Sequence, residues 1–227
     1  MSFKYNGVNI EDTFAEGFSM WGSRIIITAV NRRWANTAAT NMTGFATSVI
    51  ACDCEAGIER EIPSDLTPDG RPGTAVMVFG FSRNKLSEPM LNRIGQCVLT
   101  CPTTAIYNGL SEEESDEMLD VGKSVRFFGD GYQVKMRLGD GYSERQRFWR
   151  IPVMEGEFMI EDKFGAKKAV AGGNFLIMGE SELTTLEASE KAIEAIQNVP
   201  LVITPFPGGL CRSGSKVGSR YSFLRAS

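Results

Sequence analysis

Histidine is missing altogether from the 227 residues. Its absence removes the Ser-His-Asp triad, the Cys-His pair and every histidine-ligated metal. Proton transfer near neutral pH is left to a carboxylate, Lys, Tyr, Cys or water, and a carboxylate doing that work needs its pKa raised by burial. Cysteine is sparse and odd in number, five in all, which fits a reducing compartment better than a disulfide scaffold. Cys52-x-Cys54 and Cys97-x3-Cys101 lack the paired CxxC knuckles of a zinc ribbon. They read as small buried hydrophobes or inert thiols, with no histidine to activate Cys97 or Cys101 as a nucleophile. No window approaches the roughly 20 apolar residues of a membrane helix, and Met1–Asn9 is too polar for a signal peptide. A cytoplasmic location is therefore expected. Long like-charge runs are also lacking. The nearest, Glu112–Glu114 followed by Asp116 and Glu117, reads as a solvated loop. A net charge of −4 gives no global attraction for nucleic acid or anionic membrane.

With 42% apolar residues the chain can build one large core or two small ones. The pattern predicts two α/β lobes, 1–148 and 149–227. In the first, Arg24–Val30 reads as a β-branched strand. Trp34, Ala38, Met42 and Phe45 mark a helix. Ala46–Cys52 reads as a second strand, Pro63–Gly73 as a surface loop and Thr74–Phe81 as a third strand. A second helix carries Leu86, Met90, Leu91, Ile94, Cys97 and Val98 on one face, with Pro89 tolerable if the helix starts near Ser87. Ser124–Phe128 supplies a fourth strand, which completes the ferredoxin-like split βαβ order. In the second lobe, Gly173–Gly179 reads as a strand. Leu183, Leu186, Ile193 and Ile196 form a helix behind Ser181, an N-cap, and Leu201–Thr204 forms the next strand. The expected class is α+β, two ferredoxin-like lobes with the second incomplete.

Gly209–Ser215 with Lys216 is a near miss to a P-loop, because Gly214-Ser215-Lys216 misplaces the lysine and hydroxyl. It is either a glycine-rich loop that meets an anionic or carbonyl ligand or an ordinary surface loop. Gly129-Asp130-Gly131-Tyr132-Gln133 can place a carboxylate in a cleft or simply form a tight turn. Its echo Gly139–Tyr142 reads as a hairpin tip. Glu155-Gly156-Glu157 resembles a strand with both acids on one side. There they can push each other's pKa apart or both face solvent.

Ten segments in order carry a resemblance: NIEDTFAEGF (9–18), MTGFATSVI (42–50), EAGI (55–58), TPDGRPG (67–73), RIGQCVLTC (93–101), RFFGDGYQ (126–133), WRIPVMEGEF (149–158), GGNF (172–175), PFPGG (205–209) and SGSKVG (213–218). Together they resemble the formylmethanofuran–tetrahydromethanopterin formyltransferases, and 97–110 and the GSK segment look more like the methylotrophic branch. The resemblance implies two ferredoxin-like lobes, no bound cofactor or metal, and methanofuran and tetrahydromethanopterin as substrates. It also implies a homo-oligomer and, in methylotrophs, a complex with a hydrolase. Family members continue for roughly another quarter of their length, and that stretch carries a glutamate proposed as the acid/base. On this reading the rival function is a non-catalytic oligomerisation subunit or an inactive relative. The chemistry needs positioning, oxyanion stabilisation and a proton shift between nitrogens. Asp130, Glu155 and Glu157 are the expected catalytic carboxylates. N–H groups around Gly172–Asn174 or Gly208–Gly209 are expected to meet the oxyanion. Arg126, Gln133, Asn174, Ser213 and Lys216 are expected to bind substrate, with Arg126 and Lys216 anchoring anionic coenzyme tails.

Overall fold

The computed structural model describes residues 2–13, 16–44, 46, 52–137, 146–212 and 220–223. Its frame is one long strand. In β3 (Phe18–Thr28; β1, Ser2–Tyr5, and β2, Val8–Glu11, precede it) the side chains alternate between two buried faces. Ile25 and Ile27 point to one, Met20 and Ile26 to the other. α1 (Arg32–Thr43) covers the first face with Ala35, Ala38, Ala39 and Met42. Small residues let it lie close to the sheet, and the Asn31 side chain caps it by accepting the Trp34 N–H at 3.1 Å. β4 (Glu55–Ile62) and β5 (Gly73–Gly80) follow, then α2 (Arg83–Arg93) and β6 (Ala105–Asn108). These strands stand in the order β4-β5-β3-β6, every neighbouring pair antiparallel. That is the split βαβ arrangement.

Several boundaries differ from the sequence expectation. Most of Ala46–Cys52 lies outside the described residues, and the second strand of the motif is β4. Its charged GIERE run hid it, because an edge strand tolerates charge. The fourth strand is β6 rather than Ser124–Phe128. The latter folds as α3 (Val121–Val125) and a 3-10 turn, Arg126–Gly129. A Cβ on Gly122 would collide with the Glu161 carbonyl, so this short helix exists only because glycine lets it press on the next strand. α2 starts at Arg83 behind its Ser82 cap, so Pro89 sits in mid-helix. Its missing N–H leaves the Lys85 carbonyl without the usual partner. Gly80 lies under that carbonyl, where a Cβ would come within 2.6 Å of the oxygen. One π-helical turn, Ile94–Val98, carries the apolar face onward.

The sheet runs on through residue 148. β7 (Glu117–Leu119) and β8 (Val134–Met136) precede β9 (Phe148–Val153), β10 (Gly156–Glu161) and β11 (Phe164–Ala171). β10 lies parallel to β6, β9 and β8 extend beyond it, and β11 pairs with the first half of β3. Trp149, Ile151, Phe158, Ile160 and Phe164 join the same buried cluster as Ile25 and Ile27.

Beyond Ala171 order without burial takes over. Gly173–Gly179 and Leu201–Thr204 are not strands. β11 already holds the edge of β3, and the 173–179 side chains are all exposed. α4 (Glu182–Gln197) forms as expected behind Ser181, which makes a capping box with Thr184. Ile203 packs on Met20, Met77 and Phe79. No helix among the described residues is long and apolar enough to cross a membrane.

Candidate active site

The expected site residues fall in four places. Arg126 leaves the 3-10 turn with its guanidinium 4.6 Å from the Trp149 ring and 4.8 Å from Phe127, and Lys135 approaches the same indole at 5.6 Å. Two cations over one electron-rich ring form a positive platform. Asp130 and Gln133 belong to the turn that follows. Asp130 is left-handed at φ 49° and exposed. The Gln133 side chain accepts the Gly131 N–H at 2.9 Å, which ties it to the turn itself.

Glu155 and Glu157 do not act as a strand pair. β10 begins at Gly156, so Glu155 stands in the β9–β10 turn, where it accepts the Thr103 N–H at 3.0 Å. That bond holds its carboxyl below the usual range. Glu157 lies on the strand and pairs with Arg150 at 3.3 Å. Each carboxylate has its own partner. Asn174 is exposed in the irregular segment after β11. Ser213 and Lys216 lie outside the described residues, as does Gly139–Tyr142.

A buried acid that the motif search passed over sits on the same face of β10. Glu161 is 6% exposed, accepts the Asn108 N–H at 2.8 Å and lies 3.5 Å from the Gln146 amide. Burial pushes its pKa up to about 7. The signal was the alternation Glu157-x-Met159-x-Glu161, which places all three side chains on one side. Asn108 and Glu161 close the carboxyl ends of β6 and β10, the parallel pair among otherwise antiparallel neighbours. Nearby on the same face, Arg24 bonds buried Glu59 at 2.5 Å and reaches the Gly109 carbonyl, while its Nη2 is buried without a hydrogen-bond partner.

The opposite end of the sheet is locked by the TPDGRPG motif. Asp69 accepts from Thr28 Oγ1 (2.7 Å), Arg71 Nε (2.8 Å) and Tyr107 OH (3.1 Å). Arg71 also donates to the Thr103 carbonyl at 2.6 Å. Two of the cysteines are poor nucleophiles. Burial pushes the Cys54 thiol up to about 12 and raises that of Cys101, so both stay protonated. Among the described residues no cluster of His, Cys, Asp and Glu could hold a metal ion.

Comparison with known proteins decides between a shared sheet and shared ancestry. Residues 3–153 match the family described as formylmethanofuran-tetrahydromethanopterin formyltransferase, and 156–227 match its proximal lobe. The chain belongs to this formyltransferase family. It is 54% identical over 222 residues to the formyltransferase of Methylococcus capsulatus, covering 98% of this chain and 72% of that protein. Identity to the Methanocaldococcus jannaschii formyltransferase is 52%, over 97% of this chain and 72% of that one. Among solved structures, the formyltransferase/hydrolase complex of Methylorubrum extorquens with methylofuran superposes at a TM-score of 0.91 and 49% identity, covering 100% of this chain and 73% of the other. The Methanosarcina barkeri formyltransferase superposes at 0.87 and 47%, covering 98% and 73%.

Proposed function

We propose that this formyltransferase-family chain moves a formyl group between formylmethanofuran and N5 of tetrahydromethanopterin, in the one-carbon metabolism of methanogenesis or of methylotrophic formaldehyde oxidation. The observation that carries this reading is identity of 54% and 52% to bacterial and archaeal formyltransferases over almost the whole chain. Both coenzymes are substrates, and no bound cofactor is involved. The acceptor nitrogen attacks the formyl carbon, a C–N bond forms, and the carbonyl oxygen takes up the charge. Collapse breaks the bond to the donor nitrogen, which receives the proton that the acceptor nitrogen loses. With Cys54 and Cys101 held as thiols and no histidine in the chain to activate Cys97, this reading takes attack as direct rather than through a formyl-enzyme.

Glu161 is the described carboxylate whose titration range suits a proton shift at neutral pH. Asp130, Glu155 and Glu157 are the exposed alternatives. Arg126, with Gln133, Asn174, Ser213 and Lys216, is assigned to coenzyme binding, the cations to anionic tails. The reading includes lobes at 1–148 and 149–227, a cytoplasmic setting, a homo-oligomer, and a hydrolase partner like that of the Methylorubrum complex. Incubating the folded chain with both coenzymes and following N5-formyl-tetrahydromethanopterin tests the activity. Formation at enzymatic rates is expected, and its absence from a cooperatively folded preparation overturns the reading.

A further inference from the structure

The sequence holds two Asn-Gly dipeptides, Asn6–Gly7 and Asn108–Gly109. In this pair the main-chain nitrogen can reach the side-chain amide, because glycine puts no Cβ in the way. The structure treats the two in opposite ways. Asn6 and Gly7 make the loop between β1 and β2 at φ 48° and 83°, the left-handed pair that a two-residue I′ loop requires. Both are exposed, and nothing lies within 4 Å of where a Cβ on Gly7 would stand. The Asn6 side chain and the Gly7 N–H have no hydrogen-bond partner among the described residues. β1 and β2 form a sheet of their own, apart from the nine-stranded one, and every residue in them is exposed. A lone two-stranded ladder is marginal in water, so its loop opens at little cost.

Asn108–Gly109 stands at the end of β6, inside the large sheet. The Asn108 side-chain oxygen accepts the Gly165 N–H at 2.9 Å and the Leu110 N–H at 3.2 Å, and its amide nitrogen donates to the Leu110 carbonyl. The Gly109 N–H, the nitrogen that would have to attack, is bonded to the Arg24 carbonyl at 2.8 Å. A Cβ on Gly109 would stand 2.9 Å from both Cγ and the carbonyl oxygen of Arg24, so a ring has no room to close there. Freeing this pair means separating β6 from β3, an opening that draws on most of the stability of the whole fold.

We infer that Asn6 is a site of spontaneous deamidation in the folded chain, and that Asn108 is protected until the sheet opens. The reaction needs only water. The Gly7 nitrogen attacks the side-chain carbonyl carbon of Asn6, a C–N bond forms, the Gly7 nitrogen gives up its proton, and the side-chain nitrogen leaves as ammonia. Water then opens the cyclic imide. Cleaving its bond to the side-chain carbonyl gives aspartate. Cleaving its bond to the main-chain carbonyl gives isoaspartate, with the chain rerouted through the side chain. Either product adds a negative charge to the loop. Isoaspartate also adds a main-chain atom, which breaks the geometry of a two-residue I′ loop. The inference is independent of the formyl-transfer reading.

Hydroxylamine cuts a chain at the cyclic imide, and it tests the inference on the full chain held at mildly alkaline pH below its thermal transition. Cleavage after Asn6 alone is expected in the folded chain, and cleavage after both Asn6 and Asn108 in urea. Peptide mapping of the same folded chain without hydroxylamine is expected to show Asn6 converting at least about a hundredfold faster than Asn108, since one needs a lone hairpin to open and the other the main sheet. Asn6→Gly adopts the same backbone without a side-chain amide. In that variant the acidic species is expected to vanish from isoelectric focusing, with the thermal transition in place. A folded chain left whole at Asn6 overturns the inference, and so does an acidic species that survives in Asn6→Gly. Cleavage after Asn108 in the folded chain at a rate like that after Asn6 overturns the protection, and with it the structural argument.

Discussion

Residues 18–171 and 172–212 obey opposite rules with similar side chains. In the first stretch Ile, Val and Phe point into a core on both faces of one sheet. In the second, Phe175, Leu176 and Met178 point outward, and α4 leaves Leu183 71% and Leu186 45% exposed. Its one buried residue is Ser189. α4 nonetheless has a complete cap and a regular 16-residue course. Local signals are enough to write a helix, while burial needs a partner surface that local signals do not contain.

The largest effect expected from this contrast comes from cutting the chain. The proposed lobe division at 148/149 severs the sheet where β9 begins and takes Trp149, Ile151, Phe158, Ile160 and Phe164 from the cluster that holds Ile25. A fragment ending at residue 148 is expected to show no cooperative thermal transition, and one ending at residue 171 is expected to keep it. A cooperative transition in the shorter fragment would make 1–148 a folding unit as well as a lobe.

Single substitutions sharpen the comparison. Phe158→Ala removes a side chain 2% exposed in the shared cluster and is expected to cost about 3–5 kcal/mol in denaturant unfolding. Leu183→Ala on α4 is expected to cost less than about 0.5 kcal/mol. Equal losses at the two sites would mean that α4 is packed in solution. Glu59 links the two regions, because it holds Arg24 and also accepts the Leu201 N–H at 3.1 Å. Glu59→Ala leaves Arg24, 12% exposed at its side chain, without its counter-charge. The expected cost is about 3 kcal/mol, with faster proteolysis after residue 198 as its second mark.

Glu161 sets the pH dependence. Its carboxyl titrates at about 7 in the fold against an ordinary value of 4.5. The unfolded chain therefore sheds this proton first, and between pH 4.5 and about 7 stability falls as pH rises. The loss is complete above the folded value and amounts to on the order of 3 kcal/mol. Glu161→Gln is expected to flatten that slope and to leave the protein more stable than the parent at pH 8. If Glu161 also moves the proton, the same variant loses formyl transfer despite its added stability, and the limb of the rate profile near pH 7 disappears. An unchanged melting profile from pH 5 to 8 would remove Glu161 from both roles.

The legible parts of the fold were those with dense, periodic burial: β3, α1, β5, the apolar face of α2, and the cap of α4. β4 was not legible because an edge strand can carry Glu55, Glu59, Arg60 and Glu61. The segment 124–128 was misread because Val125 and the adjacent aromatics satisfy a strand pattern as well as a short helical turn. Gly173–Gly179 has strand composition, but composition cannot say whether a ladder partner stands beside it. At the site, motif reading found exposed acids at turns and passed over Glu161 and the Arg24–Glu59 pair. Burial is set by neighbours as distant as Asn108 from Glu161, and no short motif records it.

A small gain in stability is expected at Thr103, a β-branched residue at φ 65°. Such a backbone costs Thr roughly 1–2 kcal/mol and persists only when its surroundings fix it. Three segments do so: the Val30 N–H donates to its hydroxyl at 3.3 Å, Arg71 donates to its carbonyl at 2.6 Å, and Glu155 accepts its N–H at 3.0 Å. Asn tolerates this conformation and keeps both backbone contacts, while Gly relieves the strain but adds about 0.5–1 kcal/mol of chain entropy in the unfolded state. Thr103→Asn is therefore expected to stabilise by up to about 1 kcal/mol, less the exposed hydroxyl contact, and Thr103→Gly to be near neutral. Because Glu155 is held low by the same N–H, neither change should move its titration, whereas shifting the 101–104 turn would raise it. A loss of more than about 1 kcal/mol in Thr103→Asn would show that the hydroxyl bond to Val30 outweighs the strain. The end of the sheet would then depend on Thr103's side chain as much as on the TPDGRPG loop.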